Sequence, residues 1–192
     1  MAMPITSKPY GQLPNGEEAT LFTLTNHSYF NLSGHGDVLE HSVQIFGDSV
    51  DADSTLIGRR DPVVPGYNDY QHPVRLSDRE KLEVGNADIH FSLHSGRTTH
   101  PKPAAIVTEP SSGRIMEVLT TEPGVQFYAG LSIAAEGPEP GKGGVSYEPL
   151  AGFCLETQDY PDSINYPRMG GAILKPGETF KSTTIFRFST ED

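Results

Sequence analysis

The sequence predicts an all-β sandwich or barrel, on three observations. Short runs rich in Val, Ile, Thr, Phe and Tyr recur along the chain, Gly, Pro, Asn and Asp punctuate them, and helical periodicity is almost absent. The 20 Gly and 16 Pro among 192 residues indicate frequent chain reversal, and the apolar runs between them provide a core to fold around.

In chain order, the first strand is expected at Ala19–Leu24, between Gly16 and Asn26, and the second at Ser28–Leu32, before Gly34. Val43–Phe46 is the third, ended by Gly47-Asp48. Ala104–Thr108 and Ile115–Thr120 flank Glu109-Pro110-Ser111-Ser112-Gly113, which reads as a hairpin loop. Val125–Tyr128 follows Pro123-Gly124, Phe153–Thr157 follows Gly152, and Thr183–Phe188 comes last. One short helix is expected after Ser77, because Ser77 and Glu80 have capping-box spacing. Val50–Gly66 and Gly137–Gly144 read as loops, and the latter lacks the ending of a phosphate cradle. With no internal repeat and no boundary, residues 1–192 are expected to form a single domain.

A formal charge of −11 argues against nucleic acid or an anionic membrane surface as partner. Cys154 is the single cysteine, so no intrachain disulfide forms and a reducing compartment fits. The segment from Met1 to Gly16 has no apolar signal core and no stretch is long enough to span a bilayer, so a cytoplasmic location is expected.

Two polar positions stand out. In Phe153-Cys154-Leu155-Glu156-Thr157, alternation puts Cys154 and Glu156 on one face and Phe153 and Leu155 on the other. A carboxylate in so apolar a strand is costly unless paired or functional, and partial burial would make it a stronger base. An exposed, solvent-facing glutamate is the plainer alternative. In Thr25–Leu32 a strand would place His27, Tyr29 and Asn31 together, a polar face suited to a sugar, with a histidine able to exchange protons. A structural histidine is the plainer alternative there. His90 and His94 are separated by an extended stretch, so they do not form a metal site, and no metal is expected. Cys154 has no histidine near it in sequence, which leaves nucleophilic catalysis unsupported.

Three strings go further. Thr25–Leu32 (TNHSYFNL), Thr121–Gly130 (TEPGVQFYAG) and Gly152–Asp162 (GFCLETQDYPD), in this order, resemble segments of the aldose 1-epimerase (galactose mutarotase) family. The resemblance implies an antiparallel β-sandwich of the galactose mutarotase type. It implies His27 as general acid, Glu156 as general base, and Gln126 as a substrate-binding glutamine. Asp88 takes the place of the sugar-binding aspartate in the family's Asp-His-Asn-Phe segment, where this chain has Ile89 and His90.

Relative to the family, Thr25-Asn26 runs directly into His27, as though an internal segment were deleted at a shared Thr-Asn. The sandwich is therefore expected to be truncated, lacking an Asn-Arg pair and a second histidine of the family site. Thr55-Leu56-Ile57-Gly58-Arg59-Arg60 is a smaller departure. The implied activity is interconversion of hexose anomers by acid–base ring opening and reclosure, with a small-molecule sugar as partner and no cofactor. A catalytically impaired carbohydrate-binding remnant, or a recruited β-sandwich acting on a non-sugar ligand, remains open. Unpaired strand edges make a homodimer or limited solubility the expected state. His27 and Glu156 are expected to stand far enough apart to admit a pyranose ring.

Overall fold

The computed structural model describes residues 11–12, 18–21, 25–50, 68–78, 87–133, 141–161, 163, 173–174 and 177–191. These residues form twelve strands. In chain order they are β1 (Gly11–Gln12), β2 (Glu18–Leu21), β3 (Ser42–Ile45), β4 (Gly47–Val50), β5 (Val74–Arg75), β6 (Asp88–Leu93), β7 (Lys102–Glu109), β8 (Arg114–Thr120), β9 (Gly124–Tyr128), β10 (Cys154–Gln158), β11 (Ile173–Leu174) and β12 (Thr184–Thr190). All pairings are antiparallel. A five-stranded sheet has the order β12-β8-β7-β3-β5, a four-stranded sheet β10-β9-β6-β4, and a small third sheet β1-β2-β11.

Period-two patterning explains how the two larger sheets share a core. Val43, Ile45, Val107, Met116 and Val118 of the five-stranded sheet are buried, as are Ile89, Phe91, Leu93, Val125, Phe127 and Leu155 of the four-stranded sheet. Both sets belong to one apolar cluster. Burying each Phe or Leu there contributes about 1.5–3 kcal/mol. Phe127 and Tyr70 meet at 5.3 Å between ring centroids, filling the middle of this cluster. Residues 110–113 turn β7 into β8 as expected, with Gly113 at a φ of 65°. Glu109 closes that turn by accepting hydrogen bonds from the Ser111 and Ser112 amides at 3.0 and 2.8 Å.

Several expectations need correcting. Ser28–Leu32 is not a strand: Phe30 makes a single bridge to Phe153, and residues around it turn. Asn26 accepts a hydrogen bond from the Ser28 amide, a local side-chain turn that competes with an extended ladder. Asn31 is likewise occupied, donating to the Ala151 carbonyl at 3.1 Å and accepting from the Ser33 amide, so it braces the loop and does not join a ligand face. β1, β4, β5 and β11 were not expected as strands, and of β6 only the extended stretch after His90 was, although Ile89, Phe91 and Leu93 alternate inward along it. Ser77 lies in a 3-10 turn, Leu76–Asp78, while the helix expected beyond it falls outside the described residues. So does the loop Val50–Gly66, except for Val50 itself, which ends β4.

Candidate active site

The face of the four-stranded sheet opposite the core carries the polar side chains. Register aligns them in rows: Glu156 on β10 lies opposite Gln126 on β9, which lies opposite His90 on β6. The next row is Cys154, Tyr128 and Asp88, and on the other side come Gln158, Gly124 and Ser92. Gln126 donates a hydrogen bond from Nε2 to Asp88 Oδ1 at 2.6 Å.

His27 reaches this face from the irregular segment 25–29, which is fixed at both ends against β10. Thr25 donates from its hydroxyl to the Thr157 carbonyl at 3.1 Å, and Phe30 and Phe153 exchange backbone hydrogen bonds at 2.8 and 2.9 Å. The imidazole between these anchors lies over Cys154 and Glu156. Its Nε2 is 3.3 Å from Glu156 Oε1, and its Nδ1 is 3.3 Å from Cys154 Sγ. The rings of Tyr29 and Tyr128 flank it at centroid distances of 5.2 and 6.3 Å, giving flat apolar surface beside the polar groups. Gly152 lies under Tyr29, where an added Cβ would sit 3.3 Å from the tyrosine Cβ. The other end of the face is tied down by ion pairs. Arg97 spans the buried Glu122 at 2.9–3.0 Å and Asp159 at 3.0 Å.

Burial decides how these groups behave. Glu156 retains 8% of its exposure, and desolvation pushes its carboxyl pKa up, His27 opposing and Asp88 reinforcing the shift. The carboxylate is thus a stronger base than an exposed one. Cys154 is fully buried, and desolvation followed by the nearby Glu156 pushes its thiol up to about 12. It is therefore a neutral thiol, which argues against a cysteine nucleophile even though the fold brings His27 beside it. His90 is buried under Tyr160, ring centroids 5.8 Å apart, and burial pulls its pKa to about 4 with Gln126 opposing. Gln126 is its row neighbour, yet neither His90 ring nitrogen reaches hydrogen-bond geometry with any described residue. A Cβ at Gly124 would fall 2.5 Å from His90 Nε2, so glycine makes room for that ring.

All four residues singled out from sequence, His27, Glu156, Gln126 and Asp88, meet on this one face. The expected gap between His27 and Glu156 is absent, since the two are in contact at 3.3 Å. Tyr128, Cys154 and His90 complete the surroundings. Their signal lay in the two-residue spacing that puts Tyr128 with Gln126, Cys154 with Glu156 and His90 with Asp88. His94 is exposed and lies 3.7 Å from Asp48, apart from the buried His90.

Residues 10–187 match the family model described as aldose 1-epimerase. The chain belongs to the aldose 1-epimerase family. It is 42% identical over 178 residues to a galactose mutarotase of Pongo abelii, covering 90% of this chain and 51% of that protein. It is 41% identical to the galactose mutarotase of Homo sapiens over the same shares. In structure it is similar to an aldose epimerase homologue of C. elegans, with a TM-score of 0.74 at 23% identity, over 92% of this chain and 54% of that one. The fold is thus an all-β, mutarotase-type sandwich. The chain spans about half the length of the curated relatives it matches.

Proposed function

We propose that this chain interconverts the α and β anomers of a hexose by opening and reclosing its ring. Mutarotation must remove the O1 proton and protonate the ring oxygen as the C1–O5 bond breaks, then reverse both transfers on the other face of C1. A carboxylate and an imidazole facing each other supply both transfers without redox chemistry. Glu156 takes the O1 proton, His27 protonates O5, and Gln126 with Asp88 holds hydroxyls in place. The single observation that carries the reading is the contact of the desolvated Glu156 with His27 on the face that also holds the Gln126–Asp88 pair. The sugar enters by parting that contact, which is feasible because the His27 side chain is half-exposed and Glu156 alone is buried.

The competing reading, a carbohydrate-binding remnant in which the pair stays closed, is an outcome of the test. Polarimetry on freshly dissolved α-D-galactose or α-D-glucose separates the two. The first reading expects catalysed decay of optical rotation, lowered about 10²–10⁴-fold by Glu156→Gln, the range that acid–base catalysis supplies. Decay no faster than buffer, with binding intact in a sugar titration, supports the remnant.

The buried free thiol of Cys154 supports a reducing, cytoplasmic setting. Self-association through β12 also follows from this reading. Among the described residues β12 pairs only with β8, and Phe188 and Ile185 on it are 57% and 39% exposed. Light scattering should give a dimer or larger species that Phe188→Asp shifts towards monomer; a monomer at every concentration ends this idea.

A further inference from the structure

Three different donor types converge where the proposed acid and base meet. The His27 nitrogen, the Cys154 sulfur and a Glu156 oxygen all lie within 4.8 Å of one another. Sequence spacing gives no hint of the set, since His27 is 127 positions from Cys154. In tetrahedral zinc coordination, neighbouring N, O and S ligands stand about 3.3–3.6 Å apart, given metal–ligand bonds of about 2.0–2.3 Å. The two contacts to the imidazole are each 3.3 Å already, one to each ring nitrogen. Coordination of one ion requires the half-exposed ring to turn so that a single nitrogen faces both partners.

We propose that the set formed by His27, Cys154 and Glu156 is a binding site for Zn2+. The donors select the ion. One thiolate, one imidazole and one carboxylate suit a borderline cation, whereas Mg2+ and Ca2+ require several oxygen ligands. Cys154 and Glu156 are buried on a strand and hold fixed positions, while the exposed side of His27 leaves an approach path and room for water as fourth ligand. Asp88, two residues from His90 and close enough to raise the Glu156 pKa, adds negative potential at the rim. On binding, the thiol releases its proton to the buffer and the sulfur becomes a thiolate ligand, with no change in oxidation state. A bound ion occupies the lone pairs that proton transfer needs. Zinc is thus expected to inhibit mutarotation reversibly, a corollary that rests on the proposed function, while binding itself does not.

The test uses the full chain, reduced and stripped with a chelator, titrated with Zn2+ in a calorimeter and separately with Co2+ in a spectrophotometer. One ion per chain is expected, and Co2+ should give a near-ultraviolet thiolate charge-transfer band displaced by Zn2+. Cys154→Ser should abolish the band, and both Glu156→Gln and His27→Asn should weaken Zn2+ binding by at least about tenfold. His94→Asn, a surface control, should change nothing. Absence of the cobalt band overturns the proposal. So does Zn2+ binding that is unaffected by both His27→Asn and Cys154→Ser, which would place the ion on other surface histidines. His27→Asn lies on an exposed segment and keeps the test decisive if Cys154→Ser folds poorly.

Discussion

Replacing His90 by Asn, the residue at this place in the family's Asp-His-Asn-Phe segment, should remove a pH-dependent weakness. His90 is 2% exposed, and burial lowers its pKa from 6.5 to about 4, against an opposing effect of Gln126. The fold therefore favours the neutral ring. Its contribution to stability is fully present above pH 6.5 and is lost as pH falls through about 4. At about 1.4 kcal/mol per pH unit, the gap between 6.5 and about 4 amounts to about 3 kcal/mol, most of it gone by about pH 4.5. Urea melts at pH 7 and pH 4.5 measure this. With a slope of about 2 kcal/mol per molar urea, the wild-type midpoint should fall by about 1 M more than that of His90→Asn. The comparison is differential, so other titrating groups cancel. His41, lowered mainly by burial, acts with the same sign in both proteins. Asp159, raised mainly by burial, acts with the opposite sign in both. Glu109 is held down to about 2, first by Ser112, and its contribution is lost only as pH falls below the usual carboxylate range. Any constant cost of the smaller Asn appears at both pH values. Equal falls for wild type and variant would refute the reasoning.

Two further outcomes follow. Glu156→Gln should be more stable than wild type at pH 7 and lose that advantage at acid pH. A carboxyl whose pKa is raised in the fold favours folding while protonated and disfavours it as pH rises through that pKa; thermal melts that rank the variant below wild type at pH 7 would contradict this. Arg97→Ala should destabilise by about 1–3 kcal/mol, because it strands the buried Glu122 carboxylate, and Glu122→Gln introduced alongside should restore part of the loss. Chemical denaturation of the three proteins checks it, and additive losses would count against the pairing.

Much of the fold was legible because core strands advertise themselves by alternation. Val43 and Ile45, Met116 and Val118, and Phe153 and Leu155 each sit inward with a partner two positions on. The Ser28–Leu32 misreading has a local cause: aromatic residues there resemble a strand, but Asn26 and Asn31 divert the backbone into turns. The residues of the candidate site stand in the strings that carry the resemblance, and Glu156 also stood out as an apolar-strand carboxylate. Their contacts were not legible. Nothing in local spacing could pair His27 with Cys154 and Glu156, or Arg97 with both Glu122 and Asp159, since these meetings depend on how distant segments stack. The 3.3 Å contact between His27 and Glu156 was also beyond reach, because it depends on where the segment before Phe30 lies across β10.

The rows across β6, β9 and β10 make strand parity decisive for the candidate site. Asp88, His90, Gln126, Tyr128, Cys154 and Glu156 occupy alternate positions facing out, while Ile89, Phe91, Val125, Phe127, Phe153 and Leu155 fill the places between and face in. Inserting one residue between Cys154 and Leu155 would turn the Glu156 carboxylate towards the core and Leu155 towards solvent, disrupting the candidate site and the packing at one stroke. A change of length between strands has no such effect. Loops between these strands can therefore vary in length without moving the outward face, provided no change alters the count inside the three strands.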